Sequence, residues 1–212
     1  MKKLKLAVAT VVISQVIPLL SSPELIFHYK NLIIIAANSS VWLFQPALSA
    51  RETSENKTND KYSVLLIIMM SLLSTVIPIV DWAYFSNPAE SNTIATVIGF
   101  ILVWSGVILR NYSVKLLGRY FTPTIQLQKG HELITSGPYR IVRHPSYTGA
   151  LLAIVGSAVF FNSIVGTISA IIAMMIAYAV RIKAEEKALT VVFGNVYHRY
   201  QKRTKKLIPF FW

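Results

Sequence analysis

The chain reads as an all-α, polytopic membrane helical bundle that contains a helical hairpin. Three observations predict this. Of its 212 residues, 54% are hydrophobic and 14% are charged, with a mean hydropathy of +0.52; a soluble domain carries about 25% charged residues. Several apolar runs approach or exceed the ~20 residues that span a bilayer core. A long apolar stretch, 147–180, is broken midway by Asn162-Ser163, as a hairpin turn requires. Helices follow because lipid offers no partners to an open sheet's backbone.

The elements follow in order. The start, Lys2-Lys3-Leu4-Lys5 before an apolar run to Leu20, imitates a signal peptide. It lacks a small-x-small cleavage site before Pro23, so a retained first helix is expected. A second run covers about 25–48, and 49–61 is polar and reads as a short loop. A third helix is expected over 62–85, ended by Ser86-Asn87-Pro88, because the residue before proline disfavours helix. A fourth is expected over 93–117. Residues 118–146 are polar, basic and broken by Gly and Pro, too long for a mere connector. The hairpin follows, with limbs 148–161 and 164–182. Gly149, Ala153, Gly156 and Ser157 line one face of the first limb; Gly166, Ala170, Ala173 and Ala177 line one face of the second. Small faces let membrane helices approach closely. From Arg181 onward a charged amphipathic helix outside the bilayer is expected, and the aromatic end, 207–212, reads as interfacial or folded back.

Charge sets orientation and excludes some functions. The net charge is +12. Six Lys/Arg against one acid lie in 110–147, and eight against two in 181–212. Positive residues mark the cytosolic side, so both segments and the C-terminus are expected there. The 86–92 loop, with no Lys or Arg, is expected outside. Counting back gives four crossings before the hairpin and an N-terminus inside. Cysteine is absent, which excludes disulfides and thiolate chemistry. His28, His131, His144 and His198 show no metal-ligand spacing, so no metal is expected. The basic residues abut membrane segments and carry no nucleic-acid motif.

The densest chemistry lies in Gly137-Pro138-Tyr139-Arg140-Ile141-Val142-Arg143-His144-Pro145-Ser146-Tyr147-Thr148-Gly149. Charge at a membrane boundary is costly and is kept for a reason. Proline is favoured in a helix's first turn, so a helix is expected to begin at Pro145. Its positive dipole end then faces the side of Arg143 and His144, a place for an anion. A second cluster, Arg181-Ile182-Lys183-Ala184-Glu185-Glu186, follows a membrane helix. Arg181 and Glu185 share a face at i,i+4. A surface pair is the plain alternative, worth a few tenths of a kcal/mol. Tyr197 and Tyr200 are i,i+3 and fit an interfacial anchor as well as a site.

Taken in order, these pieces resemble the isoprenylcysteine carboxyl methyltransferase family. The matching elements are Gln126, His131-x-Leu133, Thr135-Ser136-Gly137-Pro138-Tyr139, Arg143-His144-Pro145-Ser146-Tyr147-x-Gly149, Arg181 with Glu185-Glu186, Phe193-Gly194-x-x-Tyr197-x-x-Tyr200 and Ile208-Pro209. They cover about 117–212; the first half matches only as hydrophobic spans. The resemblance implies S-adenosylmethionine as methyl donor and a cytosolic cofactor-binding cap over membrane helices. It implies leading transmembrane helices in 1–117 and a catalytic region in 118–212, within one structural domain. Cofactor contacts would fall on Gln126, His131, Leu133, Tyr139, His144, Pro145, Tyr147, Gly149, Glu186 and Tyr197. Arg143 joins them through its place at the helix start. Arg181 and Glu185 would face the methyl acceptor, and the division between the two glutamates stays open at this point.

The family's acceptor is a carboxylate on a lipidated cysteine, entering from the bilayer. A carboxylate is already ionised at neutral pH, so no general base is needed. It must be stripped of water and held in line, a task that suits Arg181. Phospholipid N-methyltransferases share the cofactor pattern but act on an amine, which must lose a proton. Membrane sterol reductases use a nicotinamide cofactor and carry a related His-x-x-Tyr-x-Gly segment, with Asn and an acid where this chain has Ser146 and Ala150.

Overall fold

The computed structural model describes residues 2–44, 61–89, 91–122 and 132–208. Helix α1 (Lys2–Val11) continues into a π-helical turn, Val12–Val16, and a 3-10 turn, Ile17–Leu19. Pro18 lies in that last turn; it has no N–H to offer the ladder. A further 3-10 turn, Pro23–Phe27, precedes α2 (Tyr29–Phe44). The second helix thus starts four residues later than its apolar run. Polar side chains of its first turn explain this: Asn31 Nδ2 donates to the Ile26 carbonyl at 2.9 Å, and the Lys30 N–H donates to His28 Nδ1 at 3.3 Å. Residues 49–60 of the expected loop lie outside the described residues.

Helix α3 (Lys61–Val80) runs on through a π-helical turn, Asp81–Phe85, and stops at Ser86. Helix α4 is Thr93–Leu117, as the sequence predicts. Asn92 caps it, its Oδ1 accepting the Ala95 N–H at 3.0 Å. Helix α5 (Pro145–Phe160) does begin at Pro145, and α6 (Ile164–Phe193) follows the turn. Asn162 holds that turn at φ 62°, a left-handed conformation that Asn tolerates. Ser163 caps α6 through the Gly166 N–H at 2.8 Å. Gly194 (φ 49°) separates α6 from α7 (Asn195–Arg203).

Among the described residues, three stretches are long and apolar enough to cross a membrane: Tyr62–Phe85, Thr93–Tyr120 and Ile164–Phe193. Leu4–Leu19 and Pro145–Phe160 are shorter apolar helices. Two of the three long stretches precede the hairpin, and residues 45–48 of the second apolar run lie outside the described residues.

The small faces are used, but by different partners than a closed hairpin implies. Helix α5 lays its glycines on α4. A Cβ on Gly106 would stand 2.5 Å from both the Ala153 nitrogen and the Gly149 carbonyl, and one on Gly149 would stand 2.5 Å from the Arg110 nitrogen. The second limb lays Gly166 on Pro78 of α3, where a Cβ would stand 2.7 Å from the Pro78 Cα. The limbs of the hairpin thus lean on α4 and α3. Asn162 ties the hairpin turn to the start of α4, accepting the Asn92 N–H at 2.7 Å and donating to Thr96 Oγ1 at 2.9 Å.

Gly106→Leu should separate α4 from α5, because the atoms a side chain would meet are backbone. The expected cost is about 2 kcal/mol or more, read as a lower thermal midpoint of the purified protein in detergent. A midpoint equal to wild type would show that the seam is looser than described.

Candidate active site

The ionic residues converge at the end of the bundle opposite Asn162. Helix α6 presents Arg181, Glu185 and Glu186 there, and the segment before α5 presents Arg143 and His144. The cluster has two halves. In one, Arg143 Nε meets Glu186 Oε1 at 2.7 Å, and Gln201 Nε2 approaches Glu186 Oε2 at 3.4 Å. In the other, Arg181 Nε meets Glu185 Oε1 at 2.8 Å and Tyr147 Oη at 3.3 Å, Tyr147 Oη donates to Glu185, and Arg181 Nη1 donates to Ser63 Oγ at 3.1 Å. His144 bridges the halves, with Nδ1 3.4 Å from Glu185 Oε2 and Nε2 3.5 Å from Glu186 Oε1. Arg181 is only 2% exposed and Ser63 4%.

The C-terminal segment folds back over this cluster. The Arg143 N–H donates to the Lys205 carbonyl at 2.8 Å and the His144 N–H to the Lys206 carbonyl at 3.0 Å. Thr148 Oγ1 donates to the Leu207 carbonyl at 2.6 Å. Arg143 Nη1 also donates to the carbonyls of Gln201, at 3.2 Å, and Thr204. Leu207 is buried among Met174, Tyr178 and Ile182 beside Tyr147. The segment from α7 to Leu207 is thus a strap across the start of α5. Below it, Tyr200 Oη donates to the Tyr139 carbonyl at 2.7 Å, and Tyr139 Oη to the Ser113 carbonyl of α4 at 3.3 Å.

Electrostatics follow from burial and these partners. Burial drives the phenols of Tyr139, Tyr197 and Tyr200 well above the ordinary tyrosine range, so they remain neutral donors. His144 is pulled down by burial, but hydrogen bonding to Glu185 and Glu186 and their charge more than reverse this, and its pKa is raised.

Most residues singled out from the sequence meet here: Tyr139, Arg143, His144, Pro145, Tyr147, Arg181, Glu185, Glu186 and Tyr197. Gln126 and His131 lie outside the described residues. Leu133 is half-buried on the connector. Gly149 is turned to α4, where it permits close approach. Sequence reasoning missed Ser63, Gln201 and Thr204. Ser63 stands far from every motif, and nothing in its local pattern marks it.

Among the described residues, three helices long and apolar enough to cross a membrane, with a buried ionic cluster at the mouth of a hairpin, define a multi-pass membrane protein with a built polar site. A model of the isoprenylcysteine carboxyl methyltransferase family matches residues 97–191. A probable protein-S-isoprenylcysteine O-methyltransferase of Oryza sativa subsp. indica is 28% identical over 189 residues, covering 83% of this chain and 99% of the relative. Protein-S-isoprenylcysteine O-methyltransferase B of Arabidopsis thaliana is 35% identical over 114 residues, 53% of this chain and 58% of its own. The Homo sapiens protein-S-isoprenylcysteine O-methyltransferase is 27% identical over 187 residues, covering 87% of this chain and 62% of its own. The solved structure of a eukaryotic intramembrane Ras methyltransferase superposes with a TM-score of 0.68 at 22% identity, over 98% of this chain and 75% of that one. The matched family model thus covers a little under half of the chain.

A histidine whose pKa is raised on folding contributes stability that is complete below the ordinary histidine value of 6.5. That contribution fades as pH rises through the raised value. The thermal midpoint in detergent should therefore decline above pH 6.5, and His144→Gln should flatten the decline. An unchanged slope in the variant would remove His144 as its cause.

Proposed function

We propose that this protein is an integral membrane methyltransferase that moves a methyl group from S-adenosylmethionine to the carboxylate of an isoprenylcysteine-like lipidic acceptor. The division of the ionic cluster into two halves carries this reading. Glu186 turns to Arg143 and the strap; Glu185 turns to Arg181 and Tyr147. A cationic group of the donor can thus meet Glu186 while an anionic acceptor meets Arg181. The site and the C-terminus face the cytosol in this reading, as the basic residues around them favour.

The residues fit the donor on an observation independent of family. Tyr197 is 1% exposed, and its hydroxyl has no hydrogen-bond partner among the described residues, although Tyr197 stands beside Tyr200 at 6.0 Å between ring centroids. A buried unpaired hydroxyl costs stability, and here it adjoins the half of the cluster that contains Glu186. Glu186, His144 and Tyr197 would hold the donor's polar groups, with Tyr139, Pro145, Tyr147 and Leu133 along its surface and Gln126 and His131 from the connector. Arg143 would set the carboxylate of Glu186 and fasten the strap. When bound, S-adenosylmethionine supplies an electrophilic methyl group on a sulfonium.

The chain's own residues then have defined tasks. Arg181 holds the acceptor carboxylate with one oxygen forward. Glu185 keeps Arg181 from pairing so tightly that the acceptor loses nucleophilicity. The strap and the buried tyrosines exclude water, which favours a reaction that consumes opposite charges. No base is needed, because the acceptor is already ionised. An amine acceptor would need one, and each described carboxylate of the cluster is already paired with a cation.

Titration with S-adenosylmethionine should show saturable binding, and NADPH should show none; the reverse result would favour a reductase. Glu186→Ala should lose S-adenosylmethionine binding while eluting as wild type on size exclusion. Arg181→Ala should bind it normally and lose at least about a hundredfold in transfer to a prenylated cysteine, as expected for a lost orienting group. Normal turnover in Arg181→Ala would remove that residue from the reaction.

A further inference from the structure

Helices α3 and α6 are antiparallel in one sustained register. Pro78 meets Gly166 at the hairpin end. Seven residues back along α3, Ser71 Oγ lies 3.8 Å from Met174 Sδ, eight residues on along α6. Eight residues further back, Ser63 Oγ accepts from Arg181 Nη1 at 3.1 Å, seven residues on. Steps of seven and eight residues return a helix to the same face after two turns. Ser63 is therefore placed against Arg181 by the whole seam. Both side chains are almost wholly buried, so water competes little for this hydrogen bond.

Arg181 is thereby gripped from three elements. Glu185 of α6 and Tyr147 of α5 hold Nε, and Ser63 of α3 holds Nη1. The first two restrain one corner of the guanidinium. The third restrains a second nitrogen and fixes the plane. A planar fork aims its remaining geometry only when its plane is fixed. Residue 63 lies outside the family-matched segment 97–191.

We infer that Ser63 is a positioning residue for methyl transfer, setting the plane of Arg181 against the acceptor carboxylate. Helix α3 thus contributes to the acceptor side of the site. The inference rests on the proposed role of Arg181.

The test is a kinetic cycle on the purified full-length protein with S-adenosylmethionine and an N-acylated S-prenylcysteine in micelles. Ser63→Ala should lower kcat roughly tenfold, as a misaligned orienting group does, with S-adenosylmethionine affinity within twofold of wild type. Ser63→Thr, which keeps the hydroxyl, should restore most of the rate. In Arg181→Lys, which lacks the fork, adding Ser63→Ala should cost little more, because residues acting through one another are not additive. Wild-type kcat in Ser63→Ala, with Arg181→Ala inactive, would overturn the role of Ser63 alone. A parallel fall in cofactor affinity, or a full additional loss in the double variant, would also overturn it, since both describe a general structural effect. Full activity in Arg181→Ala would instead overturn the reading of Arg181 on which this one rests.

Discussion

Two adjacent glutamates on a membrane helix are the constraint around which this structure is arranged. Like charges side by side at low dielectric repel strongly, and an unpaired buried carboxylate is costly. Each must therefore find its own cation. Glu185 and Glu186 project about 100° apart on the helix, which lets them turn to different neighbours. Glu185 finds Arg181 one turn back; Glu186 finds Arg143 on another segment; His144 spans both. The rest of this end of the molecule is what brings Arg143 and His144 within reach.

That demand explains the glycines and the strap together. Helix α5 begins directly after His144, so its position fixes where the imidazole sits. Gly106 and Gly149 let α5 come so close to α4 that no side chain fits between. The strap supplies what the segment before α5 lacks. It accepts the N–H groups of Arg143 and His144 and the Thr148 hydroxyl, and so holds the cationic pair in one conformation. Burying these polar groups is tolerable because they are paired.

Much of this was legible in the sequence, and the reasons are physical. The ends of α3 and α4, and the start of α5, follow from Pro88, Asn92, Gly118 and Pro145, whose backbone preferences act locally. The convergence of Arg143, His144, Glu185 and Glu186 was readable only because their motif is specific as a set. The division of the two glutamates was not readable, since neighbours in sequence carry no sign of which way each turns. The small faces were visible on α5 and α6, but their partners were not: a run of small residues states that something comes close, not what. Helix α2 was misjudged at its start because hydropathy does not register that His28, Lys30 and Asn31 bond locally to their own turn.

The register between α3 and α6 shows how a part of the chain without motifs can still govern chemistry. Buried ionic groups gain strength from low dielectric only while their geometry holds. A guanidinium pinned at one nitrogen keeps its charge in place but not its plane. A packed seam about 22 Å long, at 1.5 Å per residue over the fifteen residues from Ser63 to Pro78, converts the fit of small residues at one end into the aim of a side chain at the other. Any change that slips this seam by a residue turns Ser63 away by about 100° and removes its hydrogen bond from Arg181 Nη1. In the proposed reading, the membrane half of the molecule is thus a lever on the site as well as an anchor.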